Sequence, residues 1–88
     1  MIKECKEKLE IEFNKNELKE ILNENFKENI ILKILEETSL IVELENENGV
    51  EFYSKENDNY FFLENVDIMK LKNGEKIKLE KYSYNLPF

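Results

Sequence analysis

The chain has 88 residues, of which 41% are hydrophobic and 38% charged, and its 20 acidic residues against 13 lysines leave a net charge of −7. That length is read as a single domain over residues 1–88, large enough to bury roughly 60–70% of its unfolded surface and to fold without staples. His, Arg, Trp, Gln and Ala are absent, so no side chain has an ordinary pKa near neutrality and no guanidinium fork exists for phosphate or carboxylate, which sets the chain against catalysis and against phosphate binding.

Residues 7–13 read Glu-Lys-Leu-Glu-Ile-Glu-Phe, an alternation that places Leu9, Ile11 and Phe13 on one face and predicts a half-buried strand. Ile2, Cys5 and Leu9 have helical spacing, but Glu12 stands where the next apolar residue belongs, so any helix before the strand is confined to the first few residues. Asn14 is a good N-cap, Glu17 completes a capping box, and Phe13 and Leu18 occupy the positions of a hydrophobic staple. Leu18, Ile21, Leu22 and Phe26 continue as one apolar stripe and predict one helix of about a dozen residues. Residues 30–36 are apolar on both faces apart from Lys33, the pattern of a central strand buried on each side.

Residues 40–45 alternate again, with Leu40, Val42 and Leu44 inward, Glu43 and Glu45 outward, and Ile41 as the exception. The pair Asn48-Gly49 signals a hairpin. A loop of Glu47, Asn48 and Gly49 sets Leu44 against Phe52 and Glu45 against Glu51, which keeps apolar with apolar. The same reasoning at Lys72-Asn73-Gly74 aligns Met69 with Ile77, so residues 66–71 and 76–82 are read as the last two strands. Between the hairpins, residues 55–59 form a polar loop joining strands at 50–54 and 60–63, and residues 83–88 form a short tail. The sum is an α+β fold, with one N-terminal-half helix packed on a mostly antiparallel sheet, or small partly open barrel, of about six strands.

Cys5 is the single cysteine, near Lys3, Lys6 and Lys8 with no histidine to activate it, and is read as an incidental thiol in a reducing compartment. With 20 acidic residues, carboxylate pairs arise by chance, and residues 56–59 lack the glycine and closing glutamate of an EF-hand loop. No cofactor and no specific metal are expected, and the chain is read as a non-enzyme. The stretch before Lys6 has no apolar run of signal-peptide length, and no run approaches the ~20 apolar residues of a membrane span, so a cytoplasmic protein that avoids membranes is expected.

The charge is uneven. Residues 29–69 carry two lysines against ten acidic residues, whereas residues 70–88 carry five lysines against two glutamates. The basic end, Lys70, Lys72, Lys76, Lys78 and Lys81 with Tyr82 and Tyr84, is expected to pair internally with the acidic middle, and direct nucleic-acid binding is not expected. In the expected register Glu45 faces Glu51, and like charges opposite one another destabilise a sheet. Outward residues two apart repeat at roughly 6.6 Å, so Glu43, Glu45 and Glu47 would form a carboxylate row spaced like the phosphates of a nucleic-acid strand.

The candidate partner-binding residues are therefore Glu43, Glu45, Glu47 and Glu51 as phosphate mimics, with Tyr53 as an aromatic contact. The expected partner is a protein with a basic surface that handles nucleic acid, approached under electrostatic steering. In size, acidity and lack of catalytic residues the chain resembles the small inhibitors carried by phages and mobile elements, anti-CRISPR proteins among them. The resemblance covers no motif and transfers no residue; it implies an inhibitor acting in the host cytoplasm. The alternative is a structural or assembly module that forms homo-oligomers, such as a homodimer, through a sheet edge or the C-terminal tail.

Overall fold

The computed structural model describes residues 1–83, so the tail from Tyr84 onward, and any role for it in assembly, lies outside the described residues. The chain begins with two short strands, β1 (Ile2–Glu4) and β2 (Lys8–Ile11), paired antiparallel with Ile2 opposite Ile11. The helical spacing of Ile2, Cys5 and Leu9 is thus not used. Cys5 donates its backbone N–H to the Lys8 carbonyl at 2.9 Å and closes a hairpin instead, while Leu9, Ile11 and Phe13 enter the core as their alternation predicts.

Helix α1 (Lys15–Ile21) starts at the expected cap. The Asn14 side chain accepts from the Glu17 N–H at 2.9 Å and the Glu17 carboxylate accepts from the Asn14 N–H at 3.0 Å, so two orphan donors of the first turn are satisfied reciprocally. The helix ends at Ile21 rather than running on to Phe26, because asparagines close it. Asn29 donates from its side chain to the Ile21 carbonyl at 3.0 Å, and the Asn23 side chain accepts from the Asn25 N–H at 2.8 Å.

A second helix follows where a central strand was expected. In α2 (Phe26–Glu37) the buried residues are Phe26, Ile30, Ile31 and Ile34, a four-residue repeat with one neighbour. Leu32, which a strand would place beside Ile30 and Ile34, is 56% exposed. A short apolar run reads equally as a buried strand or a buried helix face, and here Phe26 extends the helical period by a full turn. Thr38 ends the helix by donating its hydroxyl to the Ile34 carbonyl, and Glu4 of β1 receives the N–H of Ser39 at 2.9 Å, anchoring the exit.

The remaining strands are β3 (Ile41–Asn46), β4 (Gly49–Ser54), β5 (Asn59–Glu64) and, after a third helix α3 (Asn65–Lys72), β6 (Ile77–Glu80). Of the strands expected from the sequence, those over 30–36 and 66–71 are helices while β1 was not expected, and the six strands form two antiparallel three-stranded sheets, β1-β2-β6 and β3-β4-β5, not one six-stranded sheet or a barrel. The helices number three, not one. An antiparallel bridge between Tyr60 and Tyr82, with backbone bonds of 2.8 and 2.9 Å, joins the two sheets. One apolar cluster draws on both sheets and all three helices, from Leu9 and Ile34 to Phe52, Phe61 and Leu71.

The strand expected over 66–71 is α3, and its Asn73-Gly74 pair is a helix stop, not a hairpin turn. Gly74 has φ +79°, its N–H bonds the Leu71 carbonyl at 3.0 Å, and the Glu75 N–H bonds the Lys70 carbonyl at 3.0 Å, the two bonds of a Schellman cap. The motif was ambiguous because a hairpin bulge and a helix terminus both ask for a residue in the left-handed region. Ile68 and Leu71, three apart, are buried, while Met69 is exposed and does not oppose Ile77.

Candidate functional site

The β3-β4-β5 sheet has a core face and an outer face, set by which residues of β4 and β5 alternate. Val50, Phe52, Phe61 and Leu63 are fully buried on the core face. Glu51, Tyr53, Tyr60 and Phe62 lie on the other, with Glu51 opposite Phe62 and Tyr53 opposite Tyr60. Phe61 lies in the core, and its neighbour Phe62 is half-buried on the outer face.

Strand β3 joins this sheet in a register different from the one its alternation predicts. The turn residues are Glu47 and Asn48, with Asn46 opposite Gly49. The Asn46 side chain accepts from the N–H groups of Asn48 at 2.8 Å and Gly49 at 3.3 Å, which closes the shorter loop. Gly49 is required there by close approach, since a Cβ would stand 2.2 Å from the Leu63 carbonyl oxygen of β5.

This turn places Glu45 opposite Val50 and Leu44 opposite Glu51, and a β-bulge between Val42 and Leu44 restores Val42 to the core side opposite Phe52. One inserted residue exchanges the faces of everything beyond it. Leu44, expected inward, is therefore 49% exposed, and Ile41 opposite Tyr53 is 50% exposed. The expected pairing of Glu45 with Glu51 does not occur.

Each candidate residue has its own setting. Glu43 sits at the bulge, exposed, close enough to Tyr53 and Tyr60 that its charge raises both their pKa values. Glu45 lies exposed at the α2 side of the strand, with the Lys27 ammonium 3.9 Å away, and the same ammonium donates to the Asn46 carbonyl at 3.1 Å. Glu47 is exposed in the turn. Glu51 is only 4% exposed and receives the Tyr82 hydroxyl, so on the outer face it is covered and belongs to no exposed carboxylate row.

Tyr53 is half-buried and donates its hydroxyl to Asp58 at 3.0 Å. That hydrogen bond, with burial, pushes its pKa above the ordinary 10.0, and burial does the same for Tyr60. The rings of Tyr53 and Tyr60 lie 4.9 Å apart, tilted by 40°, and those of Tyr60 and Tyr82 5.7 Å apart and stacked, so three tyrosines form a continuous run of ring contacts beside Glu43. The sequence marked Tyr53 but not the run. The cross-strand partner Tyr60 follows from a loop one residue shorter than the 55–59 read from the sequence, and Tyr82 arrives through a bridge that no local pattern announces.

The lysine-rich end does not neutralise this region. Strand β6 lies beside β2, so Lys76 pairs with Glu10 at 2.9 Å and Lys81 with Glu7 at 3.3 Å, acids of the first dozen residues instead of the acidic middle. Among the described residues, Lys27 is the cation that reaches β3, and no salt bridge involves Glu43 or Glu47. Among the described residues, no group of three His, Cys, Asp or Glu side chains is placed to hold a metal ion, and no helix is long and apolar enough to cross a membrane. Comparison with protein-family models, with curated proteins and with solved structures found no match for the chain.

Proposed function

We propose that this chain is a small protein-binding inhibitor that occupies a basic, nucleic-acid-handling surface of another protein through the β3 side of the β3-β4-β5 sheet. The observation that carries the reading is the company kept by two half-exposed aliphatic residues, Ile41 and Leu44, on one strand with the exposed carboxylates Glu43 and Glu45 and beside the Tyr53 ring. Solubility alone accounts for the glutamates but not for the exposed Ile and Leu, whereas an interface uses apolar and aromatic area at its centre and charge at its rim. The acidic rim supplies steering toward a basic partner.

In this reading Glu43, Glu45 and Glu47 meet the cations that otherwise grip phosphate, Tyr53 packs at the centre, and Glu51 holds the sheet through Tyr82. The test is capture from the source cell on wild-type protein and on Glu43→Lys/Glu45→Lys/Glu47→Lys, each eluted in a salt gradient, with circular dichroism verifying both folds. A basic nucleic-acid-binding protein retained by wild type, released by salt and lost on charge reversal supports the reading. Identical retention by the folded variant contradicts it.

The alternative of an assembly module draws on the same exposed edge, since β3 is the outermost strand of its sheet. It predicts a concentration-dependent, salt-insensitive dimer in sedimentation.

A further inference from the structure

Strand β3 lies at the end of the order β3-β4-β5, and among the described residues no strand pairs with its other side. An edge of this kind offers unpaired backbone donors and acceptors to another chain. Its occupant is constrained by charge. From Ile41 to Ser54 the sequence holds four glutamates and no lysine. Two copies of β3 laid edge to edge, parallel or antiparallel, bring Glu43 and Glu45 of one against the same carboxylates of the other, and like charges across strands repel. The acidic edge thus disfavours a second copy while complementing a basic strand.

We infer that β3 takes up an extended segment of the partner protein as the fourth strand of its sheet, a segment of roughly six residues, set by the strand rise, in which Lys or Arg is interspersed with large apolar residues. The apolar side chains meet Ile41 and Leu44 on the outer face, and the cations at alternate positions meet Glu45 on the α2 side, with Glu43 adding negative charge at the bulge. Backbone pairing runs over Ile41 to Glu45, short of Asn46, whose carbonyl Lys27 already occupies. The bulge after Val42 divides the edge into two short ladders, and Leu44, set outward by the turn, adds an apolar contact for the incoming strand on the outer face.

This inference rests on the protein-binding reading and adds to it a mode and a partner chemistry. It is tested on the whole protein, isotopically labelled, with a capped hexapeptide alternating Lys and Ile and with a twin of identical side chains in which alternate backbone nitrogens are methylated. The expected result is about tenfold slower amide exchange at Ile41 to Glu45 with the first peptide, and binding about tenfold weaker for the twin. Equal binding by both peptides overturns strand addition yet leaves the charge-based reading standing. Absence of binding by either peptide also overturns strand addition, and the charge-reversal capture experiment then decides the broader reading separately. A peptide-free dimer abolished by Leu44→Lys gives the edge to a second copy and overturns the inference.

Discussion

Glu10 is held by two ammonium groups, Lys76 at 2.9 Å and Lys8 at 3.1 Å, and these hydrogen bonds lower its pKa from 4.5 to about 2. A carboxyl whose folded value lies below its unfolded value contributes stability that is complete above about 4.5 and is lost as pH falls through about 2. Urea unfolding between those two pH values is therefore expected to show a steeper loss of stability for wild type than for Glu10→Gln; parallel curves would contradict the assignment. At Tyr53 the direction is reversed, because Asp58 beside the hydroxyl disfavours the phenolate. Asp58 has φ +49°, which Asn tolerates, so Asp58→Asn removes the charge without straining the turn. Ultraviolet titration is expected to show Tyr53 ionising at lower pH in that variant than in wild type, with a smaller shift in the same direction at Tyr60. The Asn14 cap was readable because its partners are local, whereas the Tyr82 hydroxyl on Glu51 joins residues 31 apart and leaves no trace in spacing.

Among the elements, the alternating strand β2 and the β4–β5 pair with its polar loop were legible, since a sheet with one buried face writes its period into the sequence. Helix α2 was not, because residues 30–36 are apolar enough to satisfy either period. The two assignments part at Leu32. The helix predicts that Ile34→Ala costs about 2–5 kcal/mol while Leu32→Lys is nearly neutral; a strand would make both severe, as equilibrium denaturation of the two variants will show. The β3–β4 hairpin was found with its turn one residue too long, Glu47-Asn48-Gly49 instead of Glu47-Asn48, and that single slip moved Leu44 to the wrong face. Gly49 fixes the true register, and Gly49→Ala is expected to cost about 2 kcal/mol or more, since the Leu63 backbone cannot yield as a side-chain tip would. Gly74→Ala is expected to cost only about 1 kcal/mol, for the left-handed cap alone, with its new Cβ 3.7 Å from Leu18. Comparable losses at the two glycines would contradict the close approach at Gly49.

Across the whole molecule, the acidity of residues 29–69 gains meaning from where the lysines go. The sheet order places β6 against β2, so the basic end neutralises the N-terminal strand and leaves Glu43 exposed at the bulge and Glu45 exposed on the α2 side, where Lys27 is near. The sequence displayed the charge asymmetry but not this arrangement, because pairing of β6 with β2 joins segments far apart in the chain. It also pointed to Glu43, Glu45 and Glu47 and to Ile41 as the apolar exception among the outward positions, but missed Leu44, whose exposure follows from the two-residue turn. An apolar pair framed by carboxylates is a different surface from a bare phosphate-like row, and it demands a partner that is both basic and apolar.

The most direct measurement is displacement of labelled nucleic acid from the basic protein captured by the wild-type chain, with Glu43→Lys/Glu45→Lys/Glu47→Lys as the comparison. Wild type is expected to displace the nucleic acid at physiological salt and the variant to be at least about tenfold weaker. Equal displacement by both, or stable binding to the partner with its nucleic acid retained, would contradict the account.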